Sequence, residues 1–177
     1  MKFKTRFFLS FFSTAVIIAM MLVQGAPLKA PEISPQGIIN YELAGTVSKA
    51  SAIYKAWSPS LINTAVNHIK LDFFFILSYS YLLFIVCFRI TKQSPSRLKK
   101  IGRWLCAAVI VAAFFDVFEN VLMLRTLTGH FSKEVVASTF FFASVKFLLV
   151  ALSIVFIAVS FSARLLIKKE DEVVSVV

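Results

Sequence analysis

Acidic residues are scarce in this chain, nine against nineteen lysines and arginines in 177 residues. Glycine and proline number five each, cysteine and histidine two each. No glycines are spaced to cradle a phosphate, which removes the nucleotide-binding loops from consideration. Cys87 and Cys106 form no CxxC pair, and neither an HExxH run nor a Ser/His/Asp order is present. Apolar residues fill the space instead. Hydrophobic residues at 59%, twenty phenylalanines and a mean hydropathy of +0.84 exclude an ordinary soluble domain and predict an integral membrane protein. The length suits one compact bundle without a second sizeable domain.

The net charge of +10 does not imply nucleic acid, because the cations lie in short clusters beside apolar runs and not in a basic stripe interleaved with aromatics. Those clusters are topology signals and contacts for anionic membrane lipid. Four spanning helices are predicted, at about 7–24, 69–90, 101–124 and 135–166, with an extracytoplasmic segment at 25–67 between the first two. The first run also has the shape of a signal peptide, but a retained helix is preferred because the polar residues described below need a fourth wall. Ser58-Pro59 is a helix start, a cap residue followed by proline at the first helical position. Thr46 to Trp57 repeats apolar residues at helical spacing, so it is expected to lie across the bundle mouth with Tyr54 and Trp57 at the membrane interface.

Lys2, Lys4 and Arg6 precede the first span, and Arg89, Lys92, Arg97, Lys99, Lys100 and Arg103 bracket the loop after the second. Arg164, Lys168 and Lys169 close the fourth, and the acidic tail from Glu170 to Val177 is expected to fray. The positive-inside rule then puts both termini in the cytoplasm, the bacterial inner membrane being the setting this topology implies. Cys87 and Cys106 fall near the cytosolic face and are expected to be reduced packing residues.

The third span carries Asp116, Glu119 and Asn120, which share one helical face in an otherwise apolar run. A charge at membrane depth costs about 2.5–3.5 kcal/mol even on lenient scales, so this stripe must face protein or water. Asp72 and Tyr79 share a face of the second span, and Lys146 is the one ion well inside the fourth. Helix rise puts Asp72, Asp116, Glu119, Asn120 and Lys146 at overlapping heights in the outer half of the bilayer, with Tyr79 about two turns deeper. The expectation is a single cluster.

Three acids facing one lysine leave surplus negative charge, which is the sequence's best argument for function. Surplus carboxylates suit a pocket for a lipid-like substrate or other hydrophobic small molecule, with Tyr79 and Asn120 as hydrogen-bonding groups. A structural or accessory role in a membrane complex, or proton or cation transfer, fits the same residues. His68, His130 and Glu134 lie near the same rim, but their spacing matches no established metal motif. Nothing in the chain specifies a cofactor or a protein partner.

Glu42-Leu43-Ala44, Trp57, Leu71-Asp72 with Tyr79, Asp116-x-x-Glu119-Asn120 and Lys146 form an ordered pattern over roughly residues 37–150. It resembles a pattern in small, uncharacterised bacterial four-helix inner-membrane proteins. The resemblance implies the same polar cluster and a connecting segment that belongs to the domain, and it carries no activity.

Overall fold

In a computed structural model the backbone is described for residues 2–174 and the side chains for residues 2–162 other than Arg97. The chain is all-helical, with no strand among the described residues. The described residues form six α-helices in order: α1 (Phe3–Gly25), α2 (Ile38–Glu42), α3 (Val47–Ala56), α4 (Pro59–Lys92), α5 (Ser96–Leu127) and α6 (Lys133–Val174). Four of them, α1, α4, α5 and α6, are long and apolar enough to cross a bilayer.

Each long helix outruns its predicted span, because hydropathy marks where apolar residues end and not where the backbone stops coiling. The clearest case is α4. Ser58 caps it by accepting from the Leu61 N–H, Pro59 takes the first position, and nothing from Ser60 to Asn67 breaks the helix. Residues 59–67, assigned from sequence to the extracytoplasmic segment, are therefore the first turns of one 34-residue helix. At 1.5 Å per residue it is about 50 Å long, well beyond the ~30 Å hydrocarbon thickness of a bilayer. The expected frayed tail is likewise helical as far as Val174, while residues 175–177 and the side chains of Arg164, Lys168 and Lys169 lie outside the described residues.

The long helices lie side by side in the order α1, α4, α5, α6. Helix α5 packs between α4 and α6, and α1 rests on α4 with hardly any contact to α6 among the described residues. Hydroxyls fasten α1 to α4: Ser13 and Thr14 each meet Ser78 Oγ at 2.8 Å. At one end Cys87, Ile90, Cys106 and Phe156 are packed together, both cysteines being free thiols. Gly102 allows this closeness, since a Cβ there would run into the Thr91 side chain on α4.

The opposite end is covered by the segment between α1 and α4. A short 3-10 turn at Ala26–Leu28 follows α1, and Gly37 (φ 63°) and Gly45 (φ 68°) supply left-handed turns on either side of α2. Leu28, Tyr41, Ile53 and Trp57 then bury themselves against Ile69 of α4, Met123 of α5 and Val136 of α6. Trp57 was expected at the interface. It is 4% exposed, packs against Tyr41 with ring centroids 5.3 Å apart and planes tilted by 39°, and donates from Nε1 to the Leu28 carbonyl at 3.2 Å. Burying a large ring together with its one polar atom is favourable only where that atom finds a partner, and Leu28 provides it.

Candidate functional site

Lys146 is 6% exposed, an unusual burial for a lysine. Its ammonium lies 2.7 Å from Asp116 Oδ1, 2.8 Å from Glu119 Oε2 and 3.7 Å from Glu42 Oε2. The directed hydrogen bond goes to Asp116; the Glu119 contact is an ion pair lying off the hydrogen-bonding direction. Asp116 Oδ2 accepts from the Tyr79 hydroxyl at 2.9 Å. Asn120 Nδ2 donates to Asp72 Oδ2 at 2.6 Å. Asp72, Tyr79, Asp116, Glu119, Asn120 and Lys146 thus converge from α4, α5 and α6, with Glu42 added from α2.

Tyr79 is not two turns removed from the cluster, as its position along the helix implied. Long helical side chains lean toward their own N-terminus. Because α4 and α5 run antiparallel, Tyr79 leans toward the end where α4 begins while Asp116 leans the other way, and the gap closes to a hydrogen bond. Glu42 belongs to the sequence pattern only through the resemblance. Helix α2 is five residues long, too short for a period to show, and the available signal was an acid and a phenol inside the apolar stretch Ile38-Ile39-Asn40-Tyr41-Glu42-Leu43-Ala44.

Three carboxyls therefore surround one ammonium, and Asp72 is a fourth acid in the cluster. An unpaired buried charge is expensive, so a proton must relieve part of the excess. Burial raises the Glu42 carboxyl above its usual range, with the Lys146 charge opposing. Burial therefore favours the protonated form of Glu42 beside the Lys146–Asp116 ion pair. The neighbouring Tyr41 donates to Thr126 Oγ1 at 2.8 Å, and burial pushes its phenol up to about 12, so it holds α2 on α5 as a neutral donor.

The cluster forms part of the wall of a cavity of about 760 Å³. Glu42, Asp72, Tyr79, Asp116, Asn120 and Lys146 all face it. The remaining wall is mostly apolar: Ile18, Met21 and Leu22 from α1, Leu83 from α4, and Val150 and Ile154 from α6. It lies where α1 and α6 stand apart.

Among the described residues no group of three or more metal-ligating side chains meets, and the two histidines lie apart. His68 packs beside Gly25 of α1, and His130 meets Thr128 Oγ1 at 3.0 Å on an exposed loop. Comparison with protein-family models, curated proteins and solved structures returned no match. The site is a buried lysine–acid cluster in the wall of a largely apolar cavity.

Proposed function

We propose that this chain is a multi-pass protein of the bacterial inner membrane whose cavity takes up a lipid-like hydrophobic molecule, its polar end set against the Asp116–Lys146 cluster. The observation that carries this reading is one cavity with polar groups on one side and an apolar lining contributed by three long helices. Pockets of about 300–1,000 Å³, mostly apolar with a few convergent polar groups, are the usual form of a small-molecule site. In a bilayer the gap between α1 and α6 faces hydrocarbon, so an apolar molecule enters sideways without crossing water. The cation clusters before α1 and around the α4–α5 loop support cytoplasmic termini, which puts the acidic cluster in the outer half of the membrane.

Asp116→Asn or Glu119→Gln keeps the shape of each side chain and removes its charge. Either substitution is expected to abolish retention of the bound molecule through purification while the yield of folded protein is unchanged. A second reading has its own support, since the network joins α2, α4, α5 and α6 and interhelical polar contacts hold membrane bundles together. That structural role predicts that both amide variants lose folded protein instead.

A further inference from the structure

The polar side of the cavity carries two groups whose binding capacity the protein leaves unused, both on α4 and one turn apart. Asp72 faces the cavity and accepts from Asn120 Nδ2 at 2.6 Å, yet no cationic side chain comes within ion-pair distance of it among the described residues. Lys146 is occupied by Glu42, Asp116 and Glu119. His68 precedes Asp72 by four residues and so shares its helical face. It is 6% exposed, lines the same cavity, and its Nδ1 has no hydrogen-bond partner. A buried imidazole nitrogen without a partner is costly, and it lies beside a carboxylate that lacks a counter-charge.

Building on the lipid-pocket reading above, we propose that the molecule held here is a cationic amphiphile, with a protonated amine docked on Asp72 and His68 and its hydrocarbon chain lying along α1 and α6. An ammonium supplies both missing elements, a positive charge for Asp72 and a spare N–H for His68. A carboxylate or phosphate head set beside Asp72 would meet the three acids of the lining, Glu42, Asp72 and Asp116, and a Lys146 already paired with acids, while Lys29, the other lysine of the lining, is exposed and makes no ion pair with that cluster. A neutral hydroxyl satisfies one hydrogen bond and leaves Asp72 without a counter-charge. The tail is accommodated by Ile18, Met21, Val150 and Ile154, apolar side chains on the two helices that stand apart.

The test uses the full chain in neutral detergent micelles, with hexadecylamine, hexadecanol and palmitate as probes of equal chain length and native mass spectrometry as the readout. One hexadecylamine per chain is expected, held at least ~tenfold more tightly than either other probe. Asp72→Asn is expected to erase that preference, and Val150→Trp, which fills the apolar end, to abolish binding of all three. If hexadecanol binds as tightly as hexadecylamine, or palmitate more tightly, the amine assignment is overturned while the lipid pocket stands. Should none of the three bind, and Val150→Trp change nothing, the lipid pocket itself is wrong. Where Asp72→Asn fails to fold, the ranking of the three probes on the unmodified chain decides alone.

Discussion

Lys146 sits among more negative charge than it neutralises, and the excess is what gives individual residues distinct roles. Asp116 is the carboxylate bound to both Lys146 and Tyr79, so its two oxygens are committed. Glu42 is the acid whose burial favours a proton, and Asp72 faces the cavity. Glu42 gives this a measurable pH signature. Its carboxyl is raised in the folded chain, chiefly by burial, so the folded state holds that proton more tightly than the unfolded state does. The resulting stability is fully present below the ordinary glutamate range and is lost as pH rises through the raised value. Glu42→Gln keeps the hydrogen-bonding shape but cannot ionise. Its melting temperature in detergent should therefore fall less than that of the unmodified chain between mildly acidic and alkaline buffer, and parallel curves would show that Glu42 does not carry the proton.

Among the elements, α2 is the part that sequence reasoning saw least well, whereas α3 (Val47–Ala56) falls where the Thr46 to Trp57 spacing put a helix. A period of 3.6 needs several turns to declare itself, and α2 has five residues between Gly37 and Leu43. What holds it is tertiary: Tyr41 to Thr126, Trp57 to the Leu28 carbonyl, and a shared apolar core with α4, α5 and α6. Trp57→Ala removes the central ring of that packing and is expected to cost about 3–5 kcal/mol. Because the covering segment also carries Glu42, hydrogen exchange over residues 38–42 should rise in this variant while the middle of α5 stays protected. Uniform loss of protection in α2 and α5 together would mean that the segment is not a separable cover. The long helices were legible for the opposite reason. Asp72, Asp116, Glu119, Asn120 and Lys146 stand out as polar residues in apolar runs, and constant helix rise converts their positions into heights. What that arithmetic omits is the reach and lean of side chains, which is why Tyr79 was misplaced and Asp72 was not.

At the scale of the molecule, α1 and α6 stand apart and leave a cavity whose wall carries the polar cluster. Orientation can be tested directly. In a background lacking Cys87 and Cys106, a thiol at Ser94→Cys in the α4–α5 loop should react with an impermeant reagent only from the cytoplasmic side. A thiol at Thr128→Cys, after α5, should react only from the opposite side, and labelling of both from one side would invert or break the four-span arrangement. The most direct measurement is an experimental density map of the full chain in a lipid bilayer. The account predicts elongated density between α1 and α6, ending in a compact head beside Asp72 and within reach of Asp116 and Lys146. A map in which α1 closes directly onto α6, leaving the acids and Lys146 sealed in protein with no bound molecule, would contradict it.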